Sequence, residues 1–423
     1  MGLREKKQKI LLFGRHPALS YAEISVFLNK NCEVRELTRS GVILRGECPF
    51  IKDLAGIIKA GTLERVGLDT SWIFQEMKKW GLDQGRLVFG LSYYPWGRSQ
   101  EDKRFLKQTR IIGLDFKKSL KQTGLSCRLV NKKEAALSSV TVQKNKLIEK
   151  GIEWLILDGK NKKIGRTFYV QPFGLWSKLD YGRPGRDAVS GMIPPKLASI
   201  MIHIAGHQSY LDELFLDPFC GSGTILGQAL RMGVQKVWGS DISPKAVKDS
   251  KANLKWLFSQ NLVVRDPKPE IEFKVQDVRK LHSFIKPNSV RSIVTEPYLG
   301  PPQKAGQGRQ SRVRLVQELE ALYREAAIQC NKALKKGGTM VWALPVFYLG
   351  KREYQYRRLK GRKNDFCFLN TRKIFLNNGF VQKDLIMDSA AQALEGYLKE
   401  RGGCLYGRPG QKVLREIVGF IKK

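Results

Sequence analysis

The residues with the clearest chemical purpose form one short stretch, Asp217-Pro218-Phe219-Cys220-Gly221-Ser222-Gly223-Thr224, directly after the apolar run Leu214-Phe215-Leu216. Gly221 and Gly223 let the backbone turn tightly and approach a ligand without interference from Cβ atoms. The third glycine of a dinucleotide fingerprint would fall at position 226, which is Leu226, so a pyrophosphate cradle is not supported. Asp217, just ahead of the turn, suits a cationic ligand better than a phosphate. S-adenosylmethionine carries both an ammonium and a sulfonium group. Asp241 follows Asp217 by 24 residues, where the ribose hydroxyls of an adenosine cofactor would lie. Asp277, in Val275-Gln276-Asp277-Val278, is placed to accept from an adenine amino group. Each aspartate alone is as well explained by helix N-capping. Three carboxylates at three successive strand ends predict a bound nucleoside.

A fourth strand ends in Val294-Thr295-Glu296-Pro297-Tyr298-Leu299-Gly300-Pro301-Pro302. This segment resembles methyltransferases acting on exocyclic amines, whose motif is Asp or Asn followed by Pro-Pro and an aromatic residue. In that motif a polar side chain and a backbone carbonyl accept the two amine hydrogens and aim the lone pair at the methyl group, while the aromatic ring stacks on the flipped base. Here the tetrapeptide is Thr295-Glu296-Pro297-Tyr298. Either Glu296 replaces the Asp with one proline lost, or Thr295 holds the polar position and Glu296 stands at the first proline.

The elements that must position these residues alternate strand and helix from about Pro194 onward. Pro194-Pro195 opens a helix through Ile204, Leu214–Leu216 is a strand, and Ile225–Met232 is a helix ended by Gly233. Val237–Gly239 and Ser292–Thr295 are further strands. Leu315, Leu319, Leu322 and Ala326 line a long helix expected to stop at Gly337-Gly338, and Thr339–Leu344 returns as a buried strand. This is an α/β, Rossmann-like, doubly wound sheet of the class I methyltransferase type, expected over residues 194–423. Upstream, residues 1–64 read as a small α/β subdomain with a helix over Tyr21–Leu28 capped by Ser20. Residues 65–175 read as a second α/β domain, with strands at Arg86–Tyr94, Ser126–Val130 and Trp154–Asp158 and basic helices at Thr109–Thr123 and Glu134–Glu149. Residues 176–193, rich in Pro and Gly, read as a linker.

Bulk composition narrows the partner. The chain has 423 residues, enough for two or three domains, and its 42% hydrophobic content supports real cores. Lys and Arg number 75 against 39 Asp and Glu, a net charge of +36, which points to a polyanion. Positions 351–373 concentrate nine Lys/Arg against Glu353 and Asp365, interleaved with Tyr354, Tyr356, Phe366 and Phe368. Cations beside stacking surfaces suit single-stranded or flipped nucleotides, and Arg352, Arg357, Arg358 and Lys360 are the expected contacts. Lys304–Arg314, with Arg309, is expected to be a mobile substrate loop. Seven scattered cysteines without a C-x-x-C pair exclude a zinc ribbon and suggest reduced thiols in a cytosol. His203 and His207 lack the Glu and third ligand of a metal site. No run of about 18 apolar residues or signal peptide is found, so a cytoplasmic, monomeric protein without a membrane span is expected.

Over nearly its whole length the chain resembles the archaeal and eukaryotic tRNA guanine-10 N(2)-methyltransferases, which carry an N-terminal THUMP module. Gly14–Glu23 is similar to that family's opening segment; Leu137–Val140 and Lys144–Leu147 are similar to the final THUMP helix; Pro194–Ala198 is similar to the segment that walls the cofactor site. The resemblance implies that Asp217, Phe219, Gly221, Ser222, Gly223, Asp241 and Asp277, with Lys196, Ile242 and Val278 beside them, bind S-adenosylmethionine. It implies that Thr295–Tyr298 is catalytic, and that Lys144 and Lys146 meet tRNA. Two other readings stand beside it: a tRNA-binding protein with a decayed site, and a methyltransferase acting on another RNA or DNA amine.

Overall fold

The computed structural model describes residues 8–97, 103–131, 134–185, 192–263, 267–301, 309–349 and 366–423. Two compact units result: residues 1–17 with 27–174, and residues 18–26 with 175–423.

The first unit is built on one eight-stranded sheet. Its strands are β1 (Gln8–Phe13), β2 (Cys32–Thr38), β3 (Gly41–Gly46), β4 (Ile57–Val66), β5 (Arg86–Pro95), β6 (Ser126–Leu129), β7 (Gly151–Asp158) and β8 (Lys163–Val170), in the order β2-β3-β1-β4-β8-β7-β5-β6. Strands from the expected 1–64 and 65–175 regions are therefore hydrogen-bonded side by side, β4 against β8. β5 runs parallel to both β6 and β7. Helices α2 (Thr70–Gln84) and α3 (Lys103–Gln122) bury Ile73, Met77, Phe116 and Leu120 against Leu87, Phe89 and Trp154. Of the helix expected over Glu134–Glu149, only α4 (Ser139–Lys144) forms. The Ser138 side chain caps its start by accepting from Thr141 N at 3.1 Å, and Lys146 takes a left-handed φ of 52° that stops it. Lys144 and Lys146 are exposed.

In the second unit, α1 (Pro17–Ser25) starts at Pro17, not after Ser20, which lies buried inside it. Proline suits a first helical turn, and the helix is held by tertiary contacts that the local pattern does not show. Tyr21 donates to Asp388 Oδ2 (3.0 Å), and Glu23 bonds His203 Nδ1 (2.7 Å). α5 (Phe173–Tyr181) leads into the connector, and α6 (Pro195–Ala205) follows. Then come β9 (Leu214–Asp217), α7 (Thr224–Arg231), β10 (Lys236–Asp241), α8 (Pro244–Ser259), β11 (Glu270–Val275), β12 (Val290–Thr295), α9 (Arg309–Ala333) and β13 (Leu334–Tyr348). The chain ends with β14 (Phe366–Phe368), α10 (Thr371–Leu376), β15 (Phe380–Lys383), β16 (Tyr397–Leu398), β17 (Gly403–Tyr406) and β18 (Val413–Lys422).

The central order is β11-β10-β9-β12-β13-β18-β17-β16. β11 to β13 are parallel, and β18 is antiparallel to β13. Parallel strands covered by helices require apolar residues on both faces: Phe215, Leu216, Ile293, Val294, Val341 and Trp342 are almost wholly buried. β9 lies between β10 and β12, so the order reverses at β9, where an open α/β sheet leaves a crevice beyond its carboxyl ends. Two boundaries differ from expectation. α9 ends at Ala333, because Leu334 already pairs with Val290; Gly337, at φ 71°, lies in an irregular stretch of β13. The expected loop Lys304–Arg314 is helical from Arg309, and the rest of it, residues 304–308, lies outside the described residues.

Candidate functional site

The carboxyl ends of β9, β10 and β12 bring the predicted cofactor and catalytic residues together. Asp217 closes β9 with its carboxyl buried. Its Oδ1 accepts from Thr295 Oγ1 at 2.6 Å and from Phe219 N at 3.2 Å. Burial pushes this carboxyl up to about 7; the hydroxyl and the amide oppose the rise, while nearby Asp241 and Glu296 add to it. The group is therefore poised to ionise where a cation arrives.

The turn that follows is held from behind. Gly221 N donates to Asp241 Oδ2 (2.9 Å), Ser250 Oγ donates to Gly221 O (2.8 Å), and Asn253 Nδ2 donates to Ser222 O (2.8 Å). Gly221 has a φ of 50° and nothing within 4 Å of where a Cβ would stand, so its outer side is open to a ligand. Gly223, at φ 78°, instead packs against Ser250, whose Oγ would lie 2.8 Å from an added Cβ. Asp241 Oδ1 accepts from Ser243 N (2.9 Å), which leaves each carboxylate oxygen further lone pairs. Beside it Ile242 is 65% exposed, an apolar surface just past the carboxyl end of β10. Asp277 caps the short turn Val278–Ser283, with Val278 buried; the Arg279 guanidinium bonded to it holds its carboxyl below the usual range.

The connector proves to be part of this site. Arg183, buried, donates to Thr224 Oγ1 at the start of α7, and Gly185 exchanges two hydrogen bonds with the Asn253 amide, each 2.8 Å. Lys196 lies on α6 with its ammonium 5.3 Å from the centre of the Trp176 ring, and burial lowers its pKa. The composition of residues 176–193 hid these contacts. An asparagine among the apolar positions of α8 was the available signal, since a buried amide must bond to something.

The tetrapeptide Thr295–Tyr298, expected to be catalytic, is clamped at three points. Thr295 is tied to Asp217 as described. Glu296 Oε1 accepts from Arg415 Nε on β18, and both side chains are nearly buried. Tyr298 O accepts from Tyr323 Oη on α9 at 2.7 Å. The Tyr298 ring itself is 56% exposed, free to meet a partner. Beneath the site Trp342, wholly buried, stands edge-on to Phe219 (6.0 Å) and Tyr323 (5.8 Å). Sequence reasoning missed Arg415 and Tyr323. A charged pair, Arg415-Glu416, inside the apolar run Val413–Phe420 was a visible signal for the first.

Comparison with known proteins agrees with this geometry. Residues 184–359 match the family model described as RMKL-like, methyltransferase domain. The matched stretch, which lies in the second unit, is thus similar to a methyltransferase domain. The open glycine turn at Gly221 stands beside the buried carboxyl of Asp217, an arrangement that fits a cationic ligand. The tRNA (guanine(10)-N2)-dimethyltransferase of Methanothermobacter thermautotrophicus is 34% identical over 155 residues, which is 37% of this chain and 39% of that protein. The match thus spans about two fifths of the relative's length. TrmN from Thermus thermophilus has a similar fold, with a TM-score of 0.53 at 14% identity, covering 99% of this chain and 100% of that one.

The other residues singled out from the sequence lie as follows. Arg309 opens α9, while Arg352, Arg357, Arg358 and Lys360 lie outside the described residues. His203 belongs to the bond with Glu23. His207 stands edge-on to Phe215 at 5.2 Å, and burial lowers its imidazole to about 4. No cluster of three metal-ligating side chains occurs among the described residues. All seven cysteines are free thiols, and no described helix is long and apolar enough to cross a membrane.

Proposed function

We propose that this chain is an S-adenosylmethionine-dependent tRNA methyltransferase acting on the exocyclic N(2) amine of a guanine, with guanine-10 the position suggested by its curated relative. The observation that carries the reading is the clamped turn Thr295–Tyr298, fixed beside Asp217 with an exposed aromatic ring at its tip. When bound, the cofactor supplies an electrophilic methyl carbon. The chain does the rest. Asp217 ionises against the cationic end, Gly221 and Ser222 leave room for it, and Asp241 meets the ribose. Ile242, Asp277 and Val278 flank the adenine, and Lys196 belongs to the wall of the site. Glu296 and the Pro297 carbonyl accept the amine hydrogens, and Tyr298 stacks on the base.

Thr295 is the weaker claimant to that orienting role, because its hydroxyl proton is already given to Asp217. The first unit grips tRNA through an exposed surface that includes Lys144 and Lys146, as a THUMP-like module; Arg309 and the basic segment at 351–365 add contacts near the target. The protein works as a cytoplasmic monomer.

The test is mass analysis of nucleosides after incubating the full chain with unmodified tRNA and isotopically labelled cofactor. N(2)-methylguanosine is expected. Tight tRNA binding with no methylated nucleoside would favour the decayed-site reading, and a methylated adenine or cytosine would favour a different amine substrate.

A further inference from the structure

β18 carries two adjacent buried charges, Arg415 and Glu416, in an otherwise apolar strand. Neighbouring residues of a strand face opposite sides, so each needs its own partner. Glu416 is bonded by the Arg401 guanidinium, with Arg401 Nη2 at 2.7 Å from Oε2. Arg415 reaches the catalytic turn and donates from Nε to Glu296 Oε1. The attraction of Glu296 more than offsets the burial that works against the Arg415 charge. Glu296 Oε2, in contrast, takes no hydrogen bond from the described residues.

We propose that this pair selects the base: Arg415 fixes one oxygen of Glu296, and the carboxylate presents its other oxygen to the adjacent N1–H and N2–H donors of guanine. The inference rests on the guanine methyltransferase reading above and goes further by assigning the discrimination to two residues. An ionised carboxylate only accepts hydrogen bonds. Guanine sets two donors side by side on this edge. Adenine and cytosine place a ring-nitrogen lone pair next to the amine, which would face the carboxylate lone pairs and leave buried polar groups unpaired. Glu296 is thus the specificity-determining residue, and Arg415 is a positioning residue that acts through it.

The experiment uses tRNA carrying 2-aminopurine at the guanine that the wild type modifies. This base keeps the exocyclic amine but has a lone pair at N1 in place of N1–H. Wild-type kcat/KM is expected to fall at least ~100-fold on it, the scale set by a polar site that loses its partner. In Glu296→Gln, Arg415 keeps the amide oxygen and the amide nitrogen faces the base, where it can donate to the N1 lone pair of 2-aminopurine but opposes the N1–H of guanine, so the ratio between the two substrates should shrink to ~10 or less. Arg415→Met should lower kcat on guanine while cofactor affinity stays unchanged, and Arg415→Lys should recover part of the loss. Cofactor binding by each variant shows that its fold is intact. A wild type that methylates guanine and 2-aminopurine at similar rates, or a Glu296→Gln variant with the wild-type ratio, overturns the inference alone. A wild type that yields no methylguanine overturns the guanine reading itself.

Discussion

Replacing Asp217 by Asn should stabilise the ligand-free protein at alkaline pH while abolishing tight cofactor binding. The native carboxyl rises from an ordinary 3.8 to about 7, chiefly through burial. A raised native value means that the folded state holds its proton more tightly than the unfolded chain does. That stabilisation is complete below pH 4 and is lost as pH rises through 7. At 1.36 kcal/mol per pH unit, ionisation of Asp217 costs the empty fold up to about 4 kcal/mol near pH 8. Asparagine cannot ionise, yet its Oδ1 can still accept from Thr295 Oγ1 and Phe219 N. Urea denaturation should therefore give nearly equal stabilities near pH 4. The variant should pull ahead as the pH approaches 8, by up to about 4 kcal/mol. Titration with S-adenosylmethionine should show the reverse cost: wild-type affinity climbing from pH 5 to pH 8 with release of a proton, the variant weak and flat. If the variant were equally destabilised at both pH values, the assignment of Asp217 as a buried, cation-awaiting carboxyl would be wrong.

Thr295→Val removes the donor that favours ionised Asp217, so cofactor affinity at pH 7.5 should drop ~10-fold by calorimetry and return with Ser. An unchanged affinity would detach Thr295 from cofactor binding. Gly223→Ala combines a positive φ with a Cβ 2.8 Å from Ser250 Oγ and should cost about 1–3 kcal/mol in thermal unfolding; a neutral result would mean that the turn relaxes freely. In the first unit, Lys59 and Glu153 form a wholly buried ion pair whose carboxylate also accepts from Ser92 and Thr167. Glu153→Leu leaves the ammonium unpaired and should cost about 3–5 kcal/mol. Cofactor affinity should not change, and a matching loss there would contradict the independence of the two sites.

The glycine turn after β9 was legible because its signals are local. Asp217, Gly221 and Gly223 mark a strand end and a tight turn, and Asp241 recurs where the next strand must end. Features made by distant chain were not. Ser20 read as a cap, yet α1 starts earlier because Tyr21 and Glu23 meet Asp388 and His203, 367 and 180 positions away. Residues 134–149 carried helical composition, but the Ser138 cap and the left-handed Lys146 confine the helix to six residues. The connector read as punctuation because Gly and Pro say where a chain bends, not what Arg183 and Gly185 bond to. The tetrapeptide Thr295–Tyr298 was singled out by its position at the end of β12, and its departure from the family pattern left open which side chain would do the orienting.

The geometry explains that departure. In this fold the residue ending β12 lies across from Asp217, and Thr295 fills that place with a short hydroxyl that donates inward. A carboxylate there would set a second negative group against one that burial already keeps near neutral, a like-charge arrangement that drives one pKa still higher. Moving the acid one position along sends it toward β18, where Arg415 neutralises it and fixes its direction. Thr295 thus bonds Asp217 while Glu296 bonds Arg415, and under the proposed function the first contact belongs to the cofactor side and the second to the base. An exchange of Thr295 and Glu296 would put an acid against Asp217 and a hydroxyl too short to reach Arg415, so under that proposal the order of the two residues matters as much as their identity.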